Sequence, residues 1–186
     1  MGPVSPALIA LGSNLPSMAG PPGPTVMAAM DALADLGRLT GRSRLFRSPA
    51  WPPGGPDYVN AAALVETALA PEAILDRLHA IEASLGRTRE ERWGARTLDL
   101  DLLACGDEVR PDAEAQRAWR DLAPERQGRE APDRLILPHP RMQDRGFVLV
   151  PLAEVAPDWC HPLIGRTVRD MLDALPPSAL GGIHAL

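Results

Sequence analysis

Residues 86–103, GRTREERWGARTLDLDLL, hold the side chains best suited to chemistry. Residues 97–103 alternate like a half-buried strand. Leu98, Leu100 and Leu102 share one face; Thr97, Asp99, Asp101 and Leu103 share the other. Same-face neighbours on a strand stand roughly 6–7 Å apart, so the Asp99 and Asp101 carboxylates repel each other. Hard divalent cations relieve that repulsion, and Mg²⁺ takes one or two carboxylates together with phosphate oxygens. Arg87, Arg89, Arg92 and Arg96 lie just upstream. Guanidinium forks bind phosphate bidentately, so phosphate is the ligand such a group suits. A D-x-D on a strand is more often a solvated face, and arginines beside acids are often surface ion pairs of small value. The order of the residues argues for chemistry here. A glycine-opened, arginine-filled loop runs through Trp93-Gly94 into the paired aspartates, so cation and metal clusters adjoin as Mg-nucleotide chemistry requires.

The flanking elements must position these groups. Residues 7–12 (ALIALG) form a short buried strand, residues 15–24 a loop, and residues 25–36 a helix stopped by Gly37. Residues 39–47 suit one strand, and 48–56, with four Pro and two Gly, a loop. Residues 57–67 suit a strand with Tyr58 and Asn60 on one face. Residues 71–85 form a helix with Pro71 in its first turn, an Ile74, Leu75, Leu78, Ile81 and Leu85 stripe, and Gly86 as its stop. Residues 109–133 are polar and charged. They read as a surface insertion in which residues 112–122 form a helix packing Trp119 and Leu122 downward. Residues 145–155 suit helix or strand. Residues 167–175 form a helix N-capped by Thr167, and residues 178–186 a loose tail. Strand, helix, strand, strand, helix, strand is the order of a ferredoxin-like βαββαβ sandwich, here with additional C-terminal helices and the insertion. Residues 1–177 read as one α+β domain.

Composition narrows the function. The chain has 186 residues, a hydrophobic content of 45% and a net charge of −5, which suits a packed domain and disfavours a general nucleic-acid or membrane-surface binder. All 19 basic residues are arginine, which excludes a Walker A lysine and Schiff-base catalysis. Two cysteines without C-x-x-C spacing argue against a disulfide framework or a cysteine zinc site. The apolar run 7–11 is too short for a signal peptide or a membrane span, so a cytoplasmic protein is expected.

The blocks ALGSNL, FRSPAWP, PDYVNAA, GRTREERWGARTLDLDLL and LPHPRMQDRGFVLVPLAEVAP together resemble the 6-hydroxymethyl-7,8-dihydropterin pyrophosphokinase family, over residues 7–157. The resemblance implies transfer of pyrophosphate from MgATP to the pterin hydroxymethyl group, with release of AMP, in tetrahydrofolate biosynthesis. It makes Asp99 and Asp101 ligands of two Mg²⁺ ions, and Arg87 and Arg96 catalytic with them. Arg87, Arg89, Arg92 and Arg96 would close over ATP, with Trp93 covering the site and Glu82 near the nucleotide. His139 and Arg145 would contact the triphosphate. Tyr58 and Phe147 would sandwich the pterin, Asn60 would hydrogen-bond it, and Ser48 and Pro49 would line the same pocket. Residue type alone favours a core role for Phe147. Pro140 and Ile136 depart from the family pattern, which often has Tyr and a polar residue there. The insertion inherits no family role. ATP and the pterin are the implied partners of a monomer, without nucleic acid or membrane. Two rival readings fit the residues less well. A nucleotide-sugar transferase would need a Rossmann-type unit, whose G-x-G-x-x-G is absent. A ferredoxin-like RNA-binding module without catalysis would need a basic, aromatic sheet, whereas aromatic residues make up 4%.

Overall fold

The structure is a computed structural model that describes residues 3–50, 53–86, 97–127 and 129–186. Its centre is an antiparallel sheet with helices on both faces. The strands are β1 (Ser5–Ser13), β2 (Arg38–Arg42), β3 (Phe46–Ser48), β4 (Tyr58–Thr67), β5 (Asp99–Cys105) and β6 (His184–Ala185). They lie in the order β5-β1-β4-β3-β6, with β2 also pairing β4. The helices are α1 (Pro22–Ala32), α2 (Pro71–Ser84), α3 (Ala113–Arg120), α4 (Pro124–Gln127), α5 (Gly146–Val155), α6 (Val168–Asp173) and α7 (Pro177–Leu180).

Strand alternation divides the core into two. Ile9, Leu11, Val65, Leu98, Leu100 and Leu102 face α1 and α2, whose Val26, Met30, Ile74 and Leu78 are buried against them. Leu8, Ala62 and Leu103 face the other way, onto Met142, Leu149 and Leu152 of the α5 layer and Val168 and Met171 of α6. Alternation persists because a one-residue slip would exchange the two faces. A register shift between Leu8 and Ile9 near the end of β5 puts Ala104 beside Leu103 in the second cluster.

Three expectations are corrected. The single strand over residues 39–47 is two strands. The Ser43 hydroxyl accepts from Ala62 N at 2.8 Å, while Glu154 of α5 accepts from Arg44 N at 2.8 Å and Arg44 Nε at 2.7 Å. One ladder bond survives at the break, from Ser43 N to Ala62 O at 3.0 Å, and these side-chain bonds satisfy the backbone groups around it. The helix expected over residues 25–36 begins at Pro22 and tightens into a 3₁₀ turn over Leu33–Leu36. The tail expected to be loose carries α7 and β6. β6 pairs antiparallel with β3, opposite Phe46 and Arg47, which covers an otherwise open sheet edge. Gly146 lets the Ala179 carbonyl approach so closely that a Cβ there would overlap it.

The C-terminal elements follow local rules. Residues 145–155 resolve to helix, with Pro151 inside α5. Thr167 caps α6 reciprocally: its side chain accepts from Asp170 N at 3.1 Å, and Asp170 Oδ2 accepts from Thr167 N at 3.0 Å.

Candidate active site

The sheet face that carries α5 is covered along only part of the strands. Beyond the helix, β1, β4 and β5 present Gly12, Tyr58, Asn60, Asp99 and Asp101 to a cleft of about 390 Å³. Register brings them together. Ala10 lies opposite Ala62 and Asp101, and Gly12 lies opposite Asn60 and Asp99. β3 adds Ser48, with Pro49 just beyond it, while the α5 segment adds Arg145, Phe147 and Val148.

Asn60 is 4% exposed, and its amide donates from Nδ2 to Ser48 Oγ at 2.8 Å. That bond orients a donor–acceptor group toward the cleft, a use for Asn in a strand where its type is otherwise unfavourable. A Cβ at Gly12 would stand 3.2 Å from Asn60 Oδ1 and 3.9 Å from Tyr58 Cδ1. Glycine therefore forms the cleft floor between the amide and the aspartates. Gly12 was legible only as part of a motif, because a missing side chain carries no chemical signature. Phe147 corrects its residue type: it is 39% exposed, with the Arg145 guanidinium 5.6 Å from its ring centroid. The buried positions of α5 are filled instead by Val148, Leu149 and Leu152.

A second cleft, about 490 Å³, adjoins the first. The two share Asp101, His139 and Arg145. Its walls come from Leu75 of α2, Leu102 of β5, Trp119 of α3, Gln127 of α4 and the chain over residues 130–136. At the junction, His139 Nδ1 accepts from Arg141 N at 3.2 Å, so Nε2 carries the proton of the neutral ring. Burial pushes the His139 pKa down to about 3; Arg145 and Arg141 push it further the same way, and Asp99 opposes them. The imidazole is neutral at neutral pH and offers an N–H beside the Arg145 charge.

Glu82 sits elsewhere. It is 2% exposed, lines neither cleft, and accepts from Leu100 N at 2.8 Å. Leu100 lies between the two aspartates, so Glu82 holds the edge strand that presents them. Arg87, Arg89, Arg92, Trp93 and Arg96, and also Trp51, lie outside the described residues. Ser13 Oγ donates to Thr97 O at 2.6 Å, fixing the point where the chain enters β5.

Among the described residues no group of three or more His, Cys, Asp or Glu side chains converges as a complete metal cage. Two carboxylates on one face of β5, opening into a cleft, match the donor set of Mg²⁺, which completes its shell with water and phosphate oxygens.

Residues 8–157 match the 7,8-dihydro-6-hydroxymethylpterin-pyrophosphokinase family. The chain belongs to that family. A 2-amino-4-hydroxy-6-hydroxymethyldihydropteridine pyrophosphokinase of Synechocystis is 38% identical over 97% of this chain and 86% of that relative. Those of Pseudomonas aeruginosa and Haemophilus influenzae are 42% and 40% identical, each over 90% of this chain. Among solved structures, a triple mutant of Plasmodium falciparum HPPK-DHPS superposes with a TM-score of 0.65 at 15% identity, covering 92% of this chain and 44% of that one. The wild type with pteroate gives 0.63 at 13% identity, over 93% of this chain and 42% of that one. These structures share the fold. The family match gives the non-catalytic RNA-binding alternative no support. No helix among the described residues is long and apolar enough to cross a membrane.

Proposed function

We propose that this protein transfers pyrophosphate from ATP to the hydroxymethyl oxygen of 6-hydroxymethyl-7,8-dihydropterin, releasing AMP, in tetrahydrofolate biosynthesis. The observation that carries the proposal is the meeting of two clefts at Asp101, His139 and Arg145, with Asp99 beside them. The first cleft has what a flat bicyclic pterin needs: Tyr58 and Phe147 as aromatic faces, Asn60 as hydrogen-bonding partner, and Ser48 and Pro49 at its side. The second accommodates the nucleotide, with its triphosphate running to the junction.

Asp99 and Asp101 would hold two Mg²⁺ ions, which neutralise phosphate charge and act as Lewis acids when bound. His139 donates a hydrogen bond from Nε2–H to a phosphate oxygen, and Arg145 neutralises charge at the boundary of the clefts. Arg87, Arg89, Arg92 and Arg96 add further phosphate ligands, with Trp93 covering them; this part rests on the sequence pattern. Glu82 acts on the nucleotide at one remove, by holding Leu100 and hence the aspartates on either side. Catalysis is mainly positioning and charge stabilisation, so no strong general base is required.

The strand order β5-β1-β4-β3, with α1 and α2 on one face, supports reading the centre of the molecule as a ferredoxin-like sandwich. On this reading residues 1–177 are one domain, residues 109–133 are an insertion in it, and the protein works as a cytoplasmic monomer.

Purified protein given ATP, Mg²⁺ and the pterin should form AMP only when the pterin is present. ADP as the product would overturn pyrophosphoryl transfer.

A further inference from the structure

The insertion does more than decorate the surface. Its residues Trp119, Gln127, Glu130, Ala131, Pro132 and Asp133 line the second cleft. It is tied to the catalytic segment at several points. Gln116 of α3 is fully buried and donates from Nε2 to Pro138 O at 3.1 Å, one residue before His139. Arg141 Nη2 donates to Gln127 O at 2.8 Å. Arg110 and Leu137 exchange backbone bonds, 2.9 and 3.2 Å, at the base of the insertion. Asp112 caps α3, accepting from Ala115 N at 2.8 Å. Such a wall is held in place from both ends.

Position then selects the ligand. Resting on the pyrophosphokinase reading, the junction at Asp101, His139 and Arg145 takes phosphate, and the first cleft takes the pterin. The far end of the second cleft is left for the nucleoside. Of the residues lining this cleft, Ile136 is buried and offers no side-chain hydrogen bond, and Pro140 has no backbone N–H. Trp119 is a half-buried aromatic lining the same space, with a face large enough for a purine and an indole N–H for an edge contact. We infer that the insertion forms the nucleoside-binding wall of the active site and that Trp119 is its base-contacting, specificity-determining residue.

The test compares ATP with inorganic triphosphate, which has the charge but no base. Trp119→Ala should raise the KM for ATP about tenfold, and Trp119→Phe should recover most of it. The KM for pterin, and the inhibition constant of inorganic triphosphate against ATP, should stay within about twofold of wild type. Equal weakening of ATP and triphosphate, or an unchanged KM for ATP in a variant that melts like the wild type, would overturn the assignment. Calorimetric titration of ATP and triphosphate into wild type and both variants reads the wall without turnover. Absence of AMP formation by the wild type would thus strike the activity reading alone, while equal calorimetric affinities of wild type and Trp119→Ala for ATP would strike the wall.

Discussion

The cleft proposed for the pterin stands on paired strands, whereas the cleft proposed for the nucleotide is walled mostly by chain that belongs to no sheet. On the first side, Gly12, Asn60, Asp99 and Asp101 are fixed by the register of β1 with β4 and β5. On the second, the short helices α3 and α4 and the residues beyond them are fixed by a few bonds to the segment around His139. A sheet sets many side chains through one periodic pattern, so its cleft changes only when register changes. A loop wall is set bond by bond and can be rebuilt without disturbing the aspartates. The two designs predict different failures.

The largest effect belongs to the boundary. Asp101 lines both clefts, so Asp101→Ala should lower kcat at least about 10³-fold. Its side chain is not in either hydrophobic cluster, so the melting temperature should hold. A variant with near wild-type AMP formation would separate the clefts from the chemistry and break the comparison at its centre.

The next effect concerns how the loop-built side docks. His161 is fully buried, and its Nδ1 accepts from Leu163 N at 3.2 Å and Ile164 N at 3.3 Å. Burial first, then the charge of Arg120 on α3, pushes its pKa down to about 4. Between about pH 6.5 and 4 the unfolded chain binds a proton that the folded chain refuses. Stability is therefore lost as the pH falls through that window, by up to about 3 kcal/mol. His161→Gln should flatten the acid limb of a denaturation series. An equally steep limb would show that the imidazole does not carry it.

How much of each side could be read from the sequence follows the same division. β1, β4 and α2 were legible from apolar runs or stripes bounded by turn residues, and the Asp strand from its alternation, from which the paired aspartates followed. The break between β2 and β3 was not, since it depends on Ser43 and on Glu154, distant in sequence. Nor was the docking of β6, because residues 178–186 have no period and the strand they cover is chosen by tertiary packing. Phe147 looked like core by type, and only the placement of α5 turns it outward. The bond from Leu100 N to Glu82, between the aspartates, was not legible either, because it joins residues from two separate elements. The wall of the second cleft was the least legible of all: the charged composition of residues 109–133 described their outer face and concealed the cleft behind it.

A smaller and one-sided effect is expected at Gly12. A valine there would crowd Asn60 and Tyr58 and fill the floor, raising the KM for pterin roughly 30-fold while leaving the KM for ATP nearly unchanged. Parallel rises in both constants would mean that the clefts are not independently built.

The smallest effect serves as the control. The Thr167–Asp170 capping box is exposed, and neither residue lines a cleft. Thr167→Ala leaves Asp170 N without its partner and should cost about 1 kcal/mol. For a chain of this size that lowers the melting temperature by about 2–4 °C. Val168 and Met171 of α6 share a buried cluster with Leu149 and Leu152 of α5, which connects α6 to the helix that carries Phe147. If the sheet-built cleft is set by register, the loss stays in the melting temperature and both KM values keep their wild-type ratio. A pterin KM that rises alone would instead make α5, and not the strands, the element that sets this side of the site.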